Sequence, residues 1–226
     1  MISDQERVYK VLPEQKIKKT LWERIRHGLL YRIEFIVMFF PEGYLGYLSR
    51  RKYWKWRFKI GENPLILFGA RIVGEGLVEI GSNFRLAVYS EINAGPDGLS
   101  RIFIGNDVGI GRGSFILNAN HRFDSLDVSI MSQGHESRVV EYKGREYGIV
   151  IENDVWLGAN VVVLTGTHIG TGSVIGANAV VSGTIPPFSI VMGNPGRIIG
   201  NRLKRAGKEN SNVKVTGEKN TTIPIS

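Results

Sequence analysis

From Ile151 to Pro186 the chain repeats in sixes: IENDVW, LGANVV, VLTGTH, IGTGSV, IGANAV, VSGTIP. The first position is always aliphatic: Ile151, Leu157, Val163, Ile169, Ile175 and Val181. The second is mostly a residue without a large side chain, as at Gly158, Gly170, Gly176 and Ser182, and the fifth is small or β-branched until Ile185. A period of six is neither the 3.6 of a helix nor the 2 of an amphipathic strand. One aliphatic per short fixed unit marks a solenoid. Three units close a triangular coil whose sides are short strands, each paired with the coil above and below. Position one then fills the axis, and the Gly-rich positions serve the corners, where φ can be positive.

The same beat starts earlier. It runs Ile60, Ile66, Ile72, Val78, slips by two to Ile80, Leu86, Ile92, and resumes at Ile104, Ile110, Ile116 after the loop INAGPDGLS. Ile104 follows Ile80 by 24 residues, a multiple of six, so that loop leaves the register intact. Regularity breaks at Asn118. Residues 118–148 are polar, hold two of the four histidines, and read as one long excursion loop; such loops in a compact repeat domain are usually functional. The solenoid is thus expected over 60–200. Residues 201–226 form a basic C-terminal tail, without periodicity and mobile from 207.

Ahead of the repeats, residues 1–19 are polar and expected to be frayed or loosely helical. From Thr20 to Phe40, Trp22, Ile25, Leu29, Ile33 and Ile36 recur at three to four, which predicts a helix that Pro41 stops. The stretch PEGYLGYLSRRKYWKWRFKIG interleaves aromatic and cationic residues. Two readings stay open for residues 20–60. They cap the exposed first coil, or they contact an anionic membrane surface.

Composition narrows the classes. The chain has no cysteine, which removes disulfides, thiolate catalysis and Cys-ligated metal, and fits a reducing, cytoplasmic compartment. The first fifteen residues carry charges and no apolar block, so no signal peptide is expected, and the apolar window 29–40 is interrupted by Arg32 and Glu34 and too short to span a bilayer. The net charge of +8 is unevenly spread. Residues 1–60 hold 14 Lys/Arg against 6 Asp/Glu, whereas residues 61–200 hold 9 against 13. An acidic body argues against nucleic acid, and basic ends point to a polyanionic partner such as lipid head groups.

His121 stands in NANHRFDSLD, just where the coil breaks. A histidine held there can act as a general base near neutral pH. Asp124, Glu136, Glu141 or a main-chain carbonyl could orient its ring. Asn93 and Asp97 lie in the earlier loop, where both residue types also suit turns. His27, His135 and His168 make no zinc spacing with His121, and no metal is expected.

The hexads, the His121 loop and GNPGR together resemble the hexapeptide-repeat acyltransferases, including galactoside, maltose, xenobiotic and surface-glycan O-acetyltransferases. The resemblance covers roughly residues 60–200. It implies an all-β, left-handed parallel β-helix behind an N-terminal helical extension, a homotrimer with sites shared between subunits, and acetyl-CoA as co-substrate without a metal. His121 matches the histidine that takes a proton from the acceptor hydroxyl. Asn93 matches the asparagine that holds the sugar acceptor, and Asn120 and Asp124 stand beside the base as further substrate contacts. For coenzyme A the resemblance points to Trp156, Ala159, Ala177, Ser182 (in place of a common threonine) and Arg197, whose guanidinium suits phosphate. The family's second basic residue is Gly200 here, and Arg202 is its expected substitute. The implied activity is O-acetylation of a sugar in capsule, lipopolysaccharide or exopolysaccharide synthesis. N-acetylation of an amino sugar and a non-catalytic scaffold are the alternatives.

Overall fold

An aliphatic side chain every sixth residue can be shielded from water only if the backbone turns after each one and returns above itself. In the computed structural model, which describes residues 20–95 and 101–208 and short strands at 9–11, 213–214 and 222–223, the chain does this. Three parallel sheets form the faces of a prism. The first stacks strands 59–60, 78–80, 102–104, 149–151, 167–169 and 184–185. The second stacks 65–66, 85–86, 109–110, 156–157, 174–175 and 189–192, and adds an antiparallel strand, Arg197–Asn201, at its end. The third stacks 71–73, 91–93, 115–117, 162–163 and 180–181.

The register places the position-one residues on one another. On the first face Ile60, Ile80, Ile104, Ile151, Ile169 and Ile185 form one column. Leu86, Ile110, Leu157 and Ile175 stack on the second face, and Ile72, Ile92, Ile116, Val163 and Val181 on the third. All are buried in a single core, each side chain contributing about 1.5–3 kcal/mol by leaving water. The last unit departs from the expected beat. Ile185 takes its place on Ile169 only four residues after Val181, because the chain turns early at Gly183 (φ 77°).

The corners also differ from expectation. Left-handed backbone falls at position four, at Asp154 (φ 55°), Asn160 (54°), Gly166 (78°), Gly172 (71°) and Asn178 (60°), the residue types that tolerate it best. The position-two glycines meet a different demand, which is close approach between coils. A Cβ on Gly158 would lie 2.7 Å from the Ala177 nitrogen.

Helix α1 spans Leu21–Met38 and α2 spans Tyr44–Arg57. α2 closes the first coil: Trp54 and Phe58 join the core, and Arg50, fully buried, donates to the carbonyls of Ile66 (3.1 Å) and Phe40 (2.9 Å) and to Glu42 (3.2 Å). Much of the aromatic–cationic stretch therefore covers an open end. Of the N-terminal residues expected to be frayed or helical, Tyr9–Val11 instead form a strand antiparallel to His135–Arg138; the remainder of 1–19 lies outside the described residues. So do Asp97 and most of the C-terminal tail, of which residues 213–214 and 222–223 pair as strands.

Candidate active site

The site begins with a polar residue at the inner edge of the third face. Asn118 follows Ile116 by two, at the level where Ala94 sits in the coil below, and is fully buried. Its Nδ2 donates to the Ala94 carbonyl (3.3 Å), while its side-chain and main-chain oxygens accept from Ser137 Oγ (3.2 and 2.9 Å). Thr165, in the coil above, donates to Asn118 Oδ1 (3.3 Å) and accepts from the Arg138 N–H (2.9 Å). One buried network thus ties the start of the excursion, at Asn118, and its returning strand, at Ser137 and Arg138, to the solenoid. Such groups are costly to bury unless paired, so the loop is fixed where it leaves the prism.

The excursion is more ordered than a single loop. Asn120–His121 pairs with His135–Arg138, and Val140–Tyr142 pairs with Arg145–Tyr147, both antiparallel. At the tip, Gln133 bridges to the carbonyls of Ser125 (2.9 Å) and Val128 (3.2 Å). A polar excursion must still satisfy its own backbone groups, and these ribbons do so.

His121 is exposed and faces a cleft of about 210 Å³ lined by Asn93, Gly95, Leu117, Asn118, Ala119, Asn120 and His135. Asn93, Asn120 and His121 are therefore brought together. Asn93 also makes a turn: its Oδ1 accepts from the Gly95 N–H (2.9 Å) and its Nδ2 donates to Glu91 (2.9 Å). Asp124 is not at the cleft. It accepts from Arg122 Nη2 (2.7 Å) and Nε (3.2 Å), and those hydrogen bonds hold its carboxyl below the usual range. The residue against His121 is instead His135, set opposite it in the strand register with ring centroids 4.4 Å apart.

The residues expected to meet coenzyme A fall into three places. Ser182 and Arg197, both exposed, share a cleft of about 200 Å³ with Gly196 and Ile198 at the C-terminal end. Ala159 and Ala177 stack at the corner between the second and third faces, where the Asn178 N–H donates to the Ala159 carbonyl (2.9 Å). Trp156, 60% exposed, stands on the second face in a broad groove of about 850 Å³ with Arg85, Gly109 and Val174. Arg202 lines that groove, bound to Asp154 (2.7 Å) and the Gly172 carbonyl (3.1 Å). It shares this groove with Trp156 and not the cleft of Arg197, because that ion pair holds it at another corner.

Residues 148–183 match the bacterial transferase hexapeptide family (six repeats). The "Putative lipopolysaccharide biosynthesis O-acetyl transferase WbbJ" of Escherichia coli K12 is 36% identical over 143 residues, which cover 62% of this chain and 69% of that protein. The chain belongs to the hexapeptide-repeat transferases. The "Probable acetyltransferase Rv3034c" of Mycobacterium tuberculosis is 35% identical over 57% of this chain, but the match spans only 38% of that longer protein. The crystal structure of a hexapeptide-repeat-containing acetyltransferase from Vibrio cholerae superposes with a TM-score of 0.59 at 25% identity, covering 82% of this chain and 94% of that one. The same Vibrio protein complexed with acetyl coenzyme A gives 0.50 at 26%, covering 80% and 90%.

As a hexapeptide-repeat transferase the chain folds as the left-handed β-helix of that family, with Asn118, Ser137 and Thr165 as additions that the hexad pattern did not single out. The signal was available: Asn118 and Thr165 interrupt a column that holds Ala94 one coil earlier, and a polar residue facing inward needs a partner. Elsewhere Glu152, largely buried, accepts from His168 Nε2 (2.7 Å) and the Thr171 N–H (3.0 Å). Burial alone would raise its carboxyl, but these hydrogen bonds outweigh it and keep the pKa low. Among the described residues, no three His, Cys, Asp or Glu side chains converge as metal ligands.

Proposed function

We propose that this hexapeptide-repeat transferase moves an acetyl group from acetyl-CoA to a sugar hydroxyl in surface-polysaccharide synthesis (capsule, lipopolysaccharide or exopolysaccharide), on the cytoplasmic side, with His121 as general base. The observation that carries this reading is the grouping of His121, Asn93 and Asn120 in one cleft at a rigid coil break. In the reaction, His121 takes the hydroxyl proton as the acceptor oxygen attacks the thioester carbonyl. The new C–O bond gives a tetrahedral oxyanion, stabilised by a main-chain N–H donor. Its collapse breaks the C–S bond, and the imidazolium returns the proton to the departing thiolate. No covalent enzyme intermediate is formed.

A homotrimer is part of this reading, with the site shared between neighbouring subunits; it is supported by Trp156 lining a groove on the second face of the prism while His121 leaves from the third. Ser182 and Arg197 then meet the coenzyme A phosphates at the coil end. The relative named for lipopolysaccharide synthesis supports a glycan acceptor.

The test is thiol release from acetyl-CoA against a panel of sugars and nucleotide sugars. Release with a neutral sugar, lost in His121→Ala, is expected. Release only with amino sugars would make the enzyme an N-acetyltransferase, and no release with any acceptor, on a folded trimer, would favour a scaffold.

A further inference from the structure

The apolar stripe of α1 (Trp22, Ile25, Leu29, Ile33, Ile36) is the feature that the solenoid leaves unused. Amphipathic spacing normally marks the side of a helix that packs inward. Here it faces out: Trp22 is 79% exposed, Ile25 51%, Leu29 59%, Ile33 38% and Ile36 63%. The side turned to the protein carries Glu34, buried, accepting from Arg71 Nε (3.0 Å) and from the Tyr53 hydroxyl (3.3 Å), with Arg57 at 3.8 Å. α1 is thus held by a buried polar cluster and, at its C-terminal end, by Val37 and Met38 packed against the core, while the stripe takes no part. That is the reverse of an ordinary docked helix.

At 3.6 residues per turn the five stripe positions fall within an arc of about 80°. Arg26 borders the arc on one side and Arg32 on the other, and both are exposed. An apolar band with a tryptophan near one end and cations along both margins matches the boundary between acyl chains and anionic head groups. No helix among the described residues is long and apolar enough to cross a membrane, so contact would lie in the plane of the surface. A second copy meeting this stripe about a two-fold axis would set the arginines of one α1 against the same arginines of the other, which is unfavourable.

We infer that the outer face of α1 docks this protein on an anionic phospholipid surface, with Trp22, Ile25, Leu29, Ile33 and Ile36 in the interface and Arg26 and Arg32 against head groups. The surface belongs to α1. Of the aromatic–cationic stretch that follows it, Tyr53, Trp54 and Phe58 are buried against the first coil and are withdrawn from that surface.

The experiment is sedimentation of the full chain with phosphatidylcholine vesicles and with mixed phosphatidylglycerol–phosphatidylcholine vesicles, without acetyl-CoA or acceptor, so it is independent of the proposed reaction. Wild-type protein should sediment with the anionic vesicles and far less with the neutral ones. Ile25→Gln/Leu29→Gln/Ile36→Gln should lose binding by at least about tenfold, since each removes buried apolar area. Arg26→Gln/Arg32→Gln should lose about 25-fold, at about fivefold per cation near an anionic surface. Trp22 emission should shift to the blue with anionic vesicles, a change missing in Trp22→Phe. Absence of wild-type binding, or full binding by the triple variant, overturns the inference. So does a change in oligomeric mass of the triple variant without lipid, which would show that another copy covers the stripe.

Discussion

His121 and His135 face each other across an antiparallel strand pair, with ring centroids 4.4 Å apart and planes tilted by 36°. The partner ring limits how the His121 imidazole can turn, and both line the cleft that holds Asn93 and Asn120. If His121 is the base, His121→Ala should lower kcat by about 10²–10⁴-fold. Its melting temperature should hold, because the side chain is exposed. His135→Ala should lower kcat at unchanged KM for acetyl-CoA, and His135→Phe should restore part of the loss by returning an aromatic neighbour. Equal kcat in wild type and His135→Ala would show that the stacking has no positioning role.

Asn118 is buried where the excursion leaves the third face. Its amide bonds to Ala94, Ser137 and Thr165 inside the prism. Asn118→Leu fills similar space but removes the donor to the Ala94 carbonyl and the side-chain acceptor of the Ser137 and Thr165 hydroxyls, which keep their bonds to each other and to main-chain carbonyls. A stability loss of about 1–3 kcal/mol is expected for such an orphaned group, read by urea unfolding. Because the same network holds the root of the His121 strand, kcat should fall as well. A variant as stable and as active as wild type would mean the network merely fills space.

The contrast between these two residues shows what the sequence could and could not reveal. Coil stacking was legible because a β-helix repeats one local demand every six residues: Leu157, Val163 and Ile169 could be placed on the axis by counting alone. His121 was legible because it stands where counting fails. Partnerships across coils were not legible. Asn118 and Thr165 are 47 residues apart, Arg202 and Asp154 are 48 apart, and nothing in either local pattern names the other. The outward face of α1 was also hidden, since spacing gives a helix its stripe but not the direction in which the stripe points. Glu34 decides that direction through arginines supplied by other elements.

Glu152 supplies a pH dependence. Its folded-state pKa lies below the ordinary glutamate value: burial opposes this, but the hydrogen bonds from His168 and the Thr171 N–H prevail. A depressed carboxyl stabilises the fold above its unfolded pKa, and that contribution disappears as pH falls through the folded value. Melting temperature should therefore drop as the solution is acidified below the usual glutamate range. Glu152→Gln should melt lower at neutral pH and show a shallower acid decline than wild type. Parallel curves for the two proteins would rule out these hydrogen bonds as the source.

Arg197 tests the coenzyme end of the proposal. It is exposed, and among the described residues its side chain donates only to the neighbouring Gly196 carbonyl, through Nη1 (3.1 Å). Losing it should not unfold the coil. Arg197→Gln should raise KM for acetyl-CoA about tenfold, the worth of one charge-assisted contact. kcat and the acceptor KM should change little. An unchanged acetyl-CoA KM would remove Arg197 from the coenzyme site.

Gly109 and Gly111 stand two residues apart, at position six of one hexad and position two of the next, and the packing places different demands on them. A Cβ on Gly111 would lie 2.4 Å from the carbonyl carbon of Gly158 in the next coil, and neither backbone can move without disturbing the stack. A Cβ on Gly109 would meet nothing nearer than Trp156 Cδ1 at 3.7 Å, an ordinary contact. Neither residue has the positive φ that would strain an alanine. Gly111→Ala should therefore cost about 1–3 kcal/mol through overpacking. Gly109→Ala should be neutral or gain about 0.4–1 kcal/mol by restricting the unfolded chain. Urea midpoints of the two variants decide the matter. If both lose stability equally, backbone flexibility is what these glycines provide; if only Gly111→Ala does, the spacing between coils is the constraint.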